Sequence, residues 1–122
     1  MSREQEVLSP ALAKADIHSG ICGFTTTVEA KADSDNQYRV HVKISSSCKA
    51  CQRLAKEFTE ADALREITFR GEGPLTHELA ARYLSHSACP VPSGIIKAIE
   101  VAAGLALPRG ATIPPSCRYA LA

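Results

Sequence analysis

The chain has no excess of charge of either sign: 14 Lys and Arg are nearly matched by 13 Asp and Glu, for a net charge of +1. A nucleic-acid binder usually carries a basic stripe, and here the cations are scattered, so nucleic acid is not expected as a partner. Long hydrophobic runs are missing as well. The most apolar stretch, Ile95 to Leu107, is too short to cross a bilayer and contains Lys97 and Glu100, so no membrane span is expected. Met1 to Gly20 alternates charges with Ala and Leu without a continuous apolar segment, which argues against secretion and for a cytoplasmic protein. Glycine-rich phosphate loops and the Gly-x-Ser-x-Gly elbow are absent, which removes the signatures of nucleotide-phosphate binding and of serine hydrolysis. No repeat of domain size and no low-complexity tract occurs.

What remains is one ordinary globular domain with an unusual stock of sulfur. A chain of 122 residues with 45% hydrophobic side chains can bury a core without cross-links. Five cysteines in a reducing compartment point to metal or redox work more than to a disulfide framework, and the odd count weakens full pairing further.

Patterning predicts an α+β fold: a small antiparallel sheet of two to three strands, covered on one side by about three helices. Residues 1–19 read as an arm with a short helix over Pro10 to Ala15, residues 20–107 as the globular domain, and residues 108–122 as an extended, proline-stiffened tail. Phe24, Thr26, Val28 and Ala30 alternate with polar neighbours, as do Tyr38, Val40, Val42 and Ile44, which predicts a hairpin. Arg65 to Arg70 is a candidate third strand. Cys51, Leu54, Ala55 and Phe58 fall on one helical face, with Ser45, Ser46 and Ser47 offering N-cap hydroxyls. A second helix is expected over Thr76 to Ser85, and a third over Pro92 to Ala103, stopped by Gly104. Glu57, Glu60, Asp62 and Glu66 read as a solvated face rather than an acid/base pair. So few strands would leave edges along Phe24 to Ala30 or Tyr38 to Ile44, and pairing into a homodimer is one remedy for them.

The cysteines sit where chain segments turn. Cys48 and Cys51 form a Cys-x-x-Cys pair at a helix start, Cys22 lies in Gly20-Ile21-Cys22-Gly23-Phe24, and Cys89 opens Cys89-Pro90-Val91-Pro92 ahead of the last helix. A Cys-x-x-Cys at a helix start puts two sulfurs on adjacent turns, where terminal amides favour the anion that both metal ligands and nucleophiles need. The hairpin should bring Cys22 towards that pair. With Cys89 added, Cys22, Cys48, Cys51 and Cys89 would make a four-sulfur site suited to zinc or an iron–sulfur cluster. Cys117 reads as a small hydrophobe outside the site. His86, three residues before Cys89, could be a ligand, a donor to one, or a base for the thiol, against the plain reading of a cation at a helix end. His18, His41 and His77 have no such neighbourhood. The alternative function is thiol redox or persulfide sulfur carriage by Cys89, with Cys48 or Cys51 resolving.

Taken together, Ile21-Cys22-Gly23-Phe24, Ser47-Cys48-Lys49-Ala50-Cys51 and His86-Ser87-Ala88-Cys89-Pro90-Val91-Pro92 resemble a family of short, functionally uncharacterised prokaryotic proteins, over most of residues 16–113. The resemblance implies that Cys22, Cys48, Cys51 and Cys89 belong together and that Cys117 does not; it implies no activity. Cys89-Pro90-Val91-Pro92 alone is similar to the Cys-Pro-x-Pro motif of TusA-like sulfur carriers, which would make Cys89 the persulfide-bearing residue. Here a helix rather than that family's first strand is expected before the motif.

Overall fold

The structure is a computed structural model that describes residues 12–19 and 22–108. Four strands form one antiparallel sheet in sequence order: β1 (Leu12–His18), β2 (Thr25–Ala32), β3 (Arg39–Ser46) and the short β4 (Glu60–Asp62). The helices are α1 (Lys49–Glu57), α2 (Ala63–Glu66), α3 (Leu75–Tyr83) and α4 (Val91–Ala102). The architecture is α+β as expected, with one strand more than the patterning predicted.

Period-two alternation builds the sheet. Val28 and Ala30 on β2 and Val40 and Val42 on β3 point into the core, while Glu29, Lys31, Arg39, His41 and Lys43 face solvent. α4 packs on β1 and β2, and α1 on β3, so the helices cover one face. Leu54 and Phe58 from the α1 segment, with Val91, Ile95 and Ile99 from α4, are fully buried against the apolar strand face.

Three expectations are corrected. The proposed helix over Pro10 to Ala15 is replaced, from Leu12 onwards, by β1, which pairs along its whole length with β2 from Leu12↔Lys31 to His18↔Thr25. Alanine's helix propensity suggested the helix, but Ala13 and Ile17 point inward and Lys14 and Asp16 outward, so sheet pairing overrides it. β1 also covers the flank of β2 that was expected to be a free edge. The candidate strand Arg65 to Arg70 is not one: Arg65 and Glu66 end α2, and Phe69 is 79% exposed in the connection that follows. β4 is the strand that pairs with β3. Finally, Ser45 and Ser46 belong to β3, and the N-cap of α1 is Cys48, without a side-chain cap.

Glu66 ties the end of α2 to the start of α3 across residues 67–74. It is not on a solvated face but 1% exposed, and its carboxylate accepts hydrogen bonds from Leu75 N at 2.7 Å, Thr76 N at 3.0 Å and the Thr76 hydroxyl. Pro74, the N-cap of α3, has no side-chain donor or acceptor to offer, so a carboxylate eight residues upstream supplies the cap. Helix α4 starts with proline in its first turn and ends at Gly104, whose φ of +78° only glycine adopts without strain.

Gly94 lets α4 approach β1. A Cβ at this position would overlap the Ile17 side chain, itself buried. Gly94→Ala is therefore expected to destabilise the fold by about 1–3 kcal/mol despite alanine's better helix propensity. Chemical denaturation checks this, and a Gly94→Ala protein as stable as wild type would show that Ile17 turns aside freely.

Candidate functional site

All four cysteines of the described residues are free, and Cys22, Cys48, Cys51 and Cys89 line one cavity of about 80 Å³. Each arrives by a different local rule. Cys22 rides the β1–β2 turn, closed by Ser19 N to Phe24 O at 2.9 Å and Gly23 N to Ser19 O at 2.7 Å, with Gly23 at a φ of +76°. Cys48 is the extended residue at which β3 gives way to α1; its N–H donates to Ser46 Oγ at 3.0 Å and its carbonyl accepts from Gln52 N at 2.9 Å. Cys51, one turn on, shares the inward face of α1 with Leu54 and is 2% exposed. Cys89 ends a turn in which its N–H donates to His86 O at 3.2 Å, and Pro90 and Val91 then open α4.

Exposure is graded across the set: Cys22 is exposed, Cys48 and Cys89 are half-buried, and Cys51 is buried. The Cys-x-x-Cys pair is chemically asymmetric. The backbone N–H of Cys51, with that of Ala50 and the charge of Arg53, lowers the Cys48 pKa below its ordinary 9.0. Burial raises Cys51 to about 11, and the neighbouring Cys48 and Cys89 sulfurs push the same way. The Thr26 hydroxyl on β2 works against that rise.

A raised thiol pKa means that the folded state holds a proton the unfolded chain releases. The contribution of Cys51 to stability is present below pH 9 and is lost as pH rises through about 11. Metal-free wild type should therefore lose stability more steeply over that window than metal-free Cys51→Ala, as read by denaturant midpoints. Parallel profiles would show that Cys51 titrates normally.

His86 follows the end of α3 and lines the same cavity. His41 is exposed on the polar sheet face; His18 Nδ1 lies 3.2 Å from the Thr25 hydroxyl, and the His77 ring leans on Phe69 with centroids 5.2 Å apart. None of these three reaches the sulfurs. Among the described residues, no three His, Cys, Asp or Glu side chains already stand where one ion could bridge them. The four sulfurs share a cavity but not a closed coordination shell.

Thr26 and Ser46 are the neighbours that sequence reasoning passed over. Thr26 is wholly buried, and its hydroxyl lies 2.8 Å from Ser46 Oγ. The available signal was a hydroxyl on the apolar side of the β2 alternation, next to Val28 and Ala30. A wider groove of about 850 Å³ beside α4 includes Phe69, His77 and Lys97, but no cysteine lines it.

Fold and site define a small α+β domain with a cysteine-lined cavity where the β1–β2 turn, the start of α1 and the α3–α4 connection meet. The chain belongs to a family of unknown function, DUF6951, which matches residues 13–114. No curated protein and no solved structure matches it. No helix among the described residues is long and apolar enough to cross a membrane.

Proposed function

We propose that this protein binds one thiophilic metal centre, zinc or an iron–sulfur cluster, through Cys22, Cys48, Cys51 and Cys89. The observation that carries the reading is the convergence of three separate chain segments, each bearing cysteine, on one small cavity. A dithiol enzyme would need only the Cys48/Cys51 pair and leaves Cys22 and Cys89 without a task. Four thiols with no carboxylate lining the cavity form a soft donor set, suited to zinc and iron–sulfur rather than to magnesium or calcium. Ligation requires the sulfurs to lose their protons and close on the ion by side-chain rotation. The amides that hold a Cys48 thiolate lower that cost for one ligand.

Protein purified anaerobically without chelator tests the reading. Brown material with charge-transfer absorption identifies an iron–sulfur cluster, and colourless material with one zinc per chain identifies zinc. Metal-free protein with four freely titrating thiols in the folded domain overturns both.

A second reading is thiol redox or persulfide carriage, favoured by the unequal acidity of Cys48 and Cys51. In it Cys48, rather than the Cys89 suggested by the Cys-Pro-x-Pro resemblance, is the nucleophile. Its thiolate attacks one sulfur of a substrate disulfide and expels the other as thiolate. Deprotonated Cys51 then attacks the Cys48 sulfur of the mixed disulfide, closing a Cys48–Cys51 bond and releasing the second substrate thiol. Transfer of a persulfide sulfur to Cys89 instead of Cys48, detected by mass spectrometry, would return the role to Cys89.

The same reading takes the protein to be cytoplasmic, where thiols stay reduced, and without a nucleic-acid partner given its net charge of +1. It takes β1, the longer of the two edge strands among the described residues, as the edge through which two copies would pair into a homodimer. A monomer mass by light scattering at all concentrations overturns the dimer.

A further inference from the structure

We propose that β1 pairs antiparallel with β1 of a second copy about a two-fold axis at Ala15, in the register that sets Lys14 against the partner's Asp16. The inference rests on the homodimer reading above and names the register and the groove that make this edge specific for itself.

The phase of the ladder decides which groups the edge presents. Ser19 N donates to Phe24 O at 2.9 Å, and the two residues stand opposite once the β1–β2 register, Leu12↔Lys31 through His18↔Thr25, is carried one step further. Backbone direction alternates along a strand, so Ala13, Ala15 and Ile17 turn their N–H and C=O groups to β2, while Leu12, Lys14, Asp16 and His18 turn theirs to the outer edge. Among the described residues no strand pairs with that edge.

Charge picks the register. With the axis at Ala15 all seven residues of β1 pair: Lys14 with the partner's Asp16, Leu12 with the partner's His18, and Ala13 with the partner's Ile17. Lys14 and Asp16 then occupy hydrogen-bonded positions, where facing residues exchange both backbone bonds and opposite charges attract across the strands. Moving the axis to Lys14 or to Asp16 sets Lys against Lys or Asp against Asp and shortens the overlap. A slip by one residue sets the buried row of one copy against the polar row of the other. A lone lysine guards an edge against pairing; Asp16, two residues on, opens this edge to its own copy in one register.

The ground beside the edge is apolar. The groove of about 850 Å³ next to α4 is lined by Ala15, Asp16 and Ile17 of β1 together with Ile67, Phe69 and Ile96, and Ile67 and Phe69 are exposed. Ala13 and Ile17 are buried on the face of the sheet that α4 covers, so the same row of the partner's β1 comes to lie along that groove. On the opposite face Leu12, 58% exposed, gains the partner's His18 as a neighbour.

The test measures the mass of full-length protein by light scattering across a dilution series. Lys14→Asp and Asp16→Lys each put like charges opposite one another on both sides of the axis, and each should weaken the dimer by roughly 10–100-fold. Mixed together, the two variants should pair with each other about as tightly as wild type, because one strand then carries only acids and the other only lysines at these positions. Lys14 also faces Glu29 within the chain, so urea midpoints of each variant separate lost folding from lost pairing. Hydrogen exchange on wild type carries the test if a variant does not fold: the amides of Leu12, Lys14, Asp16 and His18 should be slow in the dimer and fast after dilution. A dimer indifferent to both substitutions, or variants that fail to recombine, overturns the register while leaving the homodimer standing. A monomer at every concentration overturns both, and slow exchange of these amides in that monomer assigns the edge to another segment of the same chain.

Discussion

Cys51→Ser is expected to abolish stoichiometric metal binding and to lower the melting temperature of metal-loaded protein by about 10–20 °C. The size follows from linkage: a ligand present at 100 times its dissociation constant stabilises the fold by about 2.7 kcal/mol, and each kcal/mol moves the midpoint of a domain this small by about 4–8 °C. Serine keeps the shape of the side chain but offers a poor ligand for a soft metal, and Cys51 is the most buried of the four described cysteines. A chelator separates the causes. With metal stripped from both proteins, the difference should shrink to the smaller cost of burying a hydroxyl. Cys117→Ser should change neither metal content nor melting; Cys117 lies outside the described residues. Equal metal content in Cys51→Ser and wild type would remove Cys51 from the site, and an undiminished gap in chelator would assign its effect to packing.

Glu66→Ala is expected to cost about 3–5 kcal/mol, and the cause is local. The substitution strands the N–H groups of Leu75 and Thr76 and the Thr76 hydroxyl, each of which now donates to this buried side chain. Arg65 beside it holds the same connection from outside, with its Nε donating to Gly73 O at 2.8 Å and its Nη2 lying 3.1 Å from Glu78 Oε1. The Arg65 side chain is half-buried but its partners Glu72 and Glu78 are exposed, so solvent screens the pairs and Arg65→Ala should cost about 1 kcal/mol. Urea midpoints for the two alanine variants measure the contrast; similar values would mean that Glu66 is a replaceable cap rather than the anchor of α3.

Much of this fold was legible where side-chain period and burial coincide. The inward rows of β2 and β3, the Cys51/Leu54/Phe58 face of α1, and the Pro92-to-Gly104 frame of α4 could all be read from spacing because each buries one face against a single neighbour. β1 was not, because alanines spell a weak alternation and their local preference is helical; only the seven paired positions against β2 fix them as a strand. β4 is three residues long, below the length at which alternation carries information. Glu66 was misread for a different reason. Nothing in its own neighbourhood marks it as buried; its partners are nine and ten residues away and depend on the turn back into α3. The shared cavity of Cys22, Cys48, Cys51 and Cys89 was legible through motif and hairpin logic, whereas Thr26 became relevant only once β2 and β3 were in register.

The strand order has a kinetic consequence. β1, β2 and β3, neighbours in both space and sequence, are joined by short connections, and such low-contact-order pairing is fast. The cysteine cavity is the opposite case: Cys22 waits on the β1–β2 turn, while Cys89 arrives only after α3 and α4 have docked. Hairpin formation should therefore precede assembly of the thiol cluster by a measurable interval, during which all four sulfurs are open to solvent. A chain refolding in the presence of an oxidant would be most vulnerable in that interval, and the docking of α4 across β1, with Gly94 against Ile17, is the step that ends it.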